Sequence, residues 1–164
     1  MVRRVLLAIG VLGAHLYSVD PPPVTVRCDQ AALHFRTAVG IGQDYRVVLG
    51  LVAAPPLSLP QKTVVDPTSA PFRHWSKAGL AIRAQAAVVT VTVPKPWRDR
   101  VRITWGSGGT PGTVLRFAPC PSTVDTWDGY PGGFLLRSRS ACVPLVFAVG
   151  RRRATLRFGV GRDC

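Results

Sequence analysis

Val89-Thr90-Val91-Thr92-Val93 and, after Pro94-Lys95-Pro96-Trp97-Arg98-Asp99-Arg100, Val101-Arg102-Ile103-Thr104-Trp105 decide the fold. Both runs alternate apolar with polar residues, and a period of two places every second side chain on one face of an extended strand. The proline pair between them ends the first strand, because proline donates no backbone N–H and restricts the residue before it. Gly106-Ser107-Gly108-Gly109 turns the chain after the second.

Further strands follow at a spacing of about ten residues, the cadence of antiparallel all-β domains. Leu115 and Phe117 lead to Cys120-Pro121, and Phe134 and Leu136 follow Gly132-Gly133. Residues 143–149 are apolar on both faces save for Pro144, as in a central strand, and Leu156, Phe158 and Val160 alternate with Thr155 and Arg157. Residues 19–70 are harder to read, being broken by Pro21-Pro22-Pro23, Ala54-Pro55-Pro56 and the turn cluster 66–71. There, Val24-Thr25-Val26 reads as a strand, as does the alternation of Leu33, Phe35, Thr37 and Val39. Residues 45–52 read as another, with Val47, Leu49 and Leu51 on one face. No long stretch repeats at 3.6 residues.

Composition agrees with strands. Glutamate is absent, lysine occurs only at Lys62, Lys77 and Lys95, and fifteen prolines and sixteen glycines punctuate the chain. The expected fold is all-β: a single antiparallel β-sandwich of about seven to nine strands, stapled by disulfides.

Arg3 and Arg4 precede an apolar run over residues 5–14. Ten residues fall short of the roughly twenty that span a bilayer, and the pattern is that of a secretory signal peptide. Residues 1–18 are read as that signal, cleaved after Ser18, and residues 19–164 as one domain, best defined over 71–164. An uncleaved anchor is the alternative. The expected location is secreted or cell-envelope associated, where disulfides persist.

Cys28, Cys120, Cys142 and Cys164 allow three pairings. The preferred one joins Cys120, at the end of one strand, to Cys142, at the start of another, leaving Cys28 for Cys164. No metal is expected, since neither C-x-x-C nor Cys/His spacing of the zinc type occurs.

The net charge of +13 points to polyanionic partners. Eighteen of the twenty-one basic residues are arginine, a bias that GC-rich codons also produce. For an exported chain the expected partners are anionic cell-wall polymers or the membrane surface, not nucleic acid. Arg100, Arg102, Arg116, Arg137 and Arg157 fall opposite the apolar positions of their strands, and Arg151-Arg152-Arg153 lies in a connecting turn. On a shared sheet they form an arginine face, the candidate anion-binding site.

Catalytic signals are weak. His34 and His74 are the imidazoles beyond the leader, with Asp29, Asp44 and Asp66 as possible partners, and no G-x-S-x-G elbow occurs. The expected function is non-catalytic and without cofactor; a wall hydrolase using His74 with a nearby Asp, or a protein-interaction module, are the alternatives. Residues 125–130 set Asp125 and Asp128 around Trp127 and Tyr130 in a loop, where turn hydrogen bonds and ring burial outweigh cation or sugar binding.

Pro71-Phe72-Arg73-His74-Trp75-Ser76-Lys77-Ala78-Gly79-Leu80, Phe117-Ala118-Pro119-Cys120-Pro121, Tyr130-Pro131-Gly132-Gly133-Phe134, Ala141-Cys142-Val143-Pro144-Leu145 and Phe158-Gly159-Val160-Gly161-Arg162-Asp163-Cys164 carry a resemblance. Together with the 98–105 strand they resemble a set of small exported proteins of high-GC Gram-positive bacteria (actinobacteria), over a little more than half of the chain. The resemblance implies an extracytoplasmic β-rich domain with Cys120 paired to Cys142. It implies no activity, so no functional residue carries over.

Overall fold

The computed structural model describes residues 21–36, 44–59, 64–84, 87–121 and 126–164. The signal peptide read at 1–18, Thr37 and Val39 of the second strand, and Asp125 lie outside them. The described residues form fifteen short strands: Val24–Val26 (β1), Leu33–Phe35 (β2), Arg46–Val48 (β3), Val52–Ala54 (β4), Ser58–Leu59 (β5), Val64–Val65 (β6), His74–Lys77 (β7), Leu80–Arg83 (β8), Val89–Thr92 (β9), Val101–Trp105 (β10), Val114–Phe117 (β11), Trp127–Tyr130 (β12), Gly132–Leu136 (β13), Ala141–Val149 (β14) and Arg152–Val160 (β15). Among the described residues helix is limited to short 3-10 turns, and none is long and apolar enough to cross a membrane.

The strands assemble into three sheets rather than the two layers of one sandwich. Six strands run β1-β11-β9-β14-β15-β5, four run β10-β13-β7-β6, and five run β2-β12-β8-β4-β3. The chain segments 74–83 and 127–136 pass antiparallel through both smaller sheets, and each is interrupted once, at Ala78-Gly79 and at Pro131. That interruption divides one long ladder into two sheets. Pairing is antiparallel except at both edges of the six-stranded sheet, where β1 joins β11 and β5 joins β15 in parallel.

All three sheets bury an apolar face in one core, and Ala53, Ala81 and Trp127 of the five-stranded sheet form a smaller second cluster. Val89, Val91, Val93, Val101, Ile103, Leu115, Phe134, Leu136, Val143, Leu145, Phe147, Phe158 and Val160 have no exposed surface, so the alternation read between residues 89 and 160 points inward as expected. Each such side chain contributes about 1.5–3 kcal/mol on burial. Phe117 meets Tyr130 edge-on at 5.1 Å and Phe134 lies 5.5 Å from Phe158, so rings tie the six-stranded sheet to each smaller one. Pro144 is accommodated in β14 because pairing with β9 begins only at Val146, leaving no neighbour on that side to need its missing N–H.

Three expectations are corrected. Residues 45–52 are not one strand but the hairpin β3–β4. Leu49 and Gly50 both have positive φ, 55° and 75°, inside a turn that the Leu51 N–H closes on the Val48 carbonyl (3.1 Å), and residues 49–51 connect the paired Val48 and Val52. The reversal buries Val48 and exposes Val47, opposite to the face read from the alternation. Next, residues 127–130 form strand β12 rather than a loop.

The third correction concerns the cysteines. Cys28 bonds Cys120, with Cα atoms 5.4 Å apart, in place of the expected Cys120–Cys142 and Cys28–Cys164 pairs. The parallel register explains it: Val26 lies beside Phe117, so the two chains leave the sheet at the same end and carry their cysteines out together. Cys142 and Cys164 remain thiols.

Candidate functional site: an arginine-lined cleft

At one end of the four-stranded sheet the backbone gathers basic side chains. Pro94 starts a 3-10 turn over Lys95–Trp97, and the turn continues through Arg100 into β10. The Arg137 N–H donates to the Arg100 carbonyl (3.0 Å), fixing the exit of β13 beside the entrance of β10. Ser138, Ser140, Ala141 and Cys142 form the opposite wall, and Arg162, beyond β15, closes it. These residues and Trp97 enclose an open cleft of about 450 Å³ whose lining, among the described residues, has three guanidinium groups and no carboxylate.

Aromatic rings hold the cations in place. The Arg100 guanidinium lies 5.7 Å from the Trp97 ring centre, and Phe72 carries Arg102 at 4.4 Å and Arg137 at 5.6 Å, contacts worth about 0.5–1 kcal/mol at exposed sites. Arg102 is occupied: it donates to the Arg98 carbonyl and, at 3.0 Å, to that of Val101. Burial, and secondarily the like charge of Arg137, lowers its pKa below the usual arginine value, while Asp99 opposes the shift. Asp99 also approaches Arg100 at 3.8 Å, but both side chains are about two-thirds exposed, where such pairs contribute little. The cluster therefore retains an excess of positive charge that an anion would relieve.

The five arginines read from the sequence do not share one face. Arg100 and Arg137 line the cleft and Arg102 stands behind it. Arg116 and Arg157 belong to the six-stranded sheet and are exposed. There, Arg116, Thr90, Ala148 and Arg153 lie in register across β11, β9, β14 and β15, and Arg116 borders a separate hollow of about 270 Å³. The expectation of one array fails because it placed Arg116 and Arg157 in the same sheet as β10. Arg162, Trp97 and Phe72 escaped the sequence reading, being drawn to the site by turns and not by strand alternation.

The histidines part company with the expected acids. His34 Nδ1 lies 2.7 Å from a carboxylate oxygen of Asp128, which is buried under it. Asp29 pairs instead with Arg27 at 2.7 Å, and Asp66 accepts from the Thr68 N–H and the Thr68 and Ser69 hydroxyls. His74 Nδ1 is buried without a hydrogen-bond partner. Among the described residues no group of three or more His, Cys, Asp or Glu could hold a metal ion.

Fold and site together define a disulfide-bonded all-β protein with a cationic cleft. Comparison with protein-family models, with curated proteins and with solved structures found no match.

Proposed function

We propose that this is an exported, cell-envelope protein whose three sheets act as one sandwich-like unit, and that it binds anionic envelope polymers without transforming them. The observation that carries the reading is the cleft: Arg100, Arg137 and Arg162 line it with no acid among them. Guanidinium groups present forked donors that match phosphate and carboxylate oxygens, and rings that fix their planes reduce the entropy lost on contact. The net charge of +13, about +11 once Arg3 and Arg4 leave with the signal peptide, adds long-range attraction, screened beyond roughly 8 Å at physiological salt. The Cys28–Cys120 bond is compatible with an oxidising location.

The test is retention on isolated cell wall and on an immobilised glycerol-phosphate polymer. Retention is expected at low salt and loss at about 0.5 M salt, where the screening length falls below about 5 Å. Arg100→Ala with Arg137→Ala is expected to weaken binding by about tenfold or more, the equivalent of roughly 1.4 kcal/mol. Arg116→Ala, remote from the cleft, serves as control. Equal retention of all variants would remove the cleft from the account; retention only on anionic vesicles would move the partner to the membrane surface.

A further inference from the structure

Cys142 lies on β14 directly across from Gly159 of β15. The absent side chain at Gly159 lets the following residues fold back over the ladder: a Cβ there would fall on the Arg162 carbonyl oxygen and stand 3.2 Å from the Cys164 backbone nitrogen. The returning segment is fastened on its far side, where Ser58 Oγ donates to the Asp163 carboxylate (2.6 Å). Its near side meets Cys142, whose Sγ is 3.6 Å from the carbonyl oxygen of Asp163, the peptide bonded to Cys164. Cys142 and Cys164 are therefore neighbours across that peptide. They are thus brought together by backbone constraints that act whether or not they are joined.

We propose that Cys142 and Cys164 form a second disulfide in the mature protein, bolting residues 161–164 to β14 and fixing Arg162 on the cleft wall. Cys28 and Cys120 satisfy each other, so no other protein thiol competes. The oxidant is a low-molecular-weight disulfide. One protein thiolate attacks its sulfur and expels one small thiolate, giving a mixed disulfide; the second protein thiolate then attacks the protein sulfur of that bond and expels the other. Two protein thiols are oxidised, one disulfide is reduced to two small thiols, and the two protein protons pass to the departing thiolates. Burial, then the Cys142 thiol, pushes the Cys164 pKa up to about 11 against the pull of Arg162 and Arg157, so exchange quickens as pH rises. The pairing stands whether or not the cleft binds anions.

Peptide mapping of the full chain tests it. The protein is oxidised with glutathione disulfide, alkylated while unfolded and cut with trypsin. The expected map joins peptide 140–151 to peptide 163–164, beside a second pair joining 28–36 to 117–137; reduction releases all four. Alkyl groups or glutathione caps on Cys142 and Cys164 would overturn the proposal, as would a link from either residue to Cys28 or Cys120.

Discussion

Trp105 shows how a single side chain fixes the break between two of the sheets. Its ring is buried and meets Phe134 edge-on at 5.8 Å, and its Nε1–H donates to the Ala78 carbonyl (2.8 Å), between β7 and β8. Trp105→Phe keeps an aromatic ring but strands that carbonyl, and is expected to cost about 1–3 kcal/mol in urea unfolding. A loss below about 0.5 kcal/mol would mean that the bond contributes nothing net. Tyr130 provides a pH test. Burial, and then the Asp128 charge, raises its pKa to about 12 from 10. The unfolded chain therefore releases the phenolic proton first, so this contribution to stability is complete below pH 10 and declines as pH climbs toward 12. The fall is expected to be shallower in Tyr130→Phe when unfolding midpoints are compared between pH 9 and 11. That Trp105 points inward was legible from its place in the alternation. Its partner was not, because Ala78 is reached only across the intervening strand β13, 27 residues away in sequence, just as Asp128 was hidden as the partner of His34 by 94 residues of separation.

Among the elements, the turns set registers that the strands alone leave open. Gly50 and Gly150 have φ of 75° and 56°, and a Cβ on either would meet nothing within 4 Å. Gly50→Ala and Gly150→Ala should therefore each cost about 1–2 kcal/mol through backbone conformation alone, and their effects should add in the double variant because the hairpins are separate. Chemical denaturation with an unchanged slope checks both, and a clear departure from additivity would argue against purely local costs. Gly133 is a different case, since a Cβ there would fall on the Ser76 carbonyl oxygen of the paired strand β7. Gly133→Ala is expected to disrupt the β7–β13 ladder and to abolish cooperative unfolding. The strands at 89–92, 101–105 and 152–160 were legible because one buried face imposes strict alternation. The β3–β4 hairpin was not: Leu49 in a left-handed conformation is unusual for a bulky residue, so the apolar run concealed its own turn. The arginines likewise marked outward positions correctly, but alternation assigns a residue to a face and not to a particular sheet.

For the whole molecule, the decisive link is Cys28–Cys120, which closes a separation of 92 residues. The chain-entropy relation gives about 4–5 kcal/mol for a loop of that size, comparable to much of the stability of a domain this large. Nothing near either cysteine in sequence announced the pairing, because it depends on β1 joining β11 in parallel, a contact between the start of the domain and its middle. Cys28→Ser with Cys120→Ser is expected to lower unfolding stability by about 4 kcal/mol and to speed amide hydrogen exchange first in β1, which is otherwise held by a three-residue ladder at the sheet edge. The cleft is built from residues 97–100, 137–142 and 162, away from that edge, so the reduced variant should keep salt-sensitive polymer binding at temperatures where it remains folded. If binding disappears while β14 and β15 stay protected from exchange, the cleft depends on β1 through a coupling that these contacts do not provide, and its independence from the disulfide is wrong.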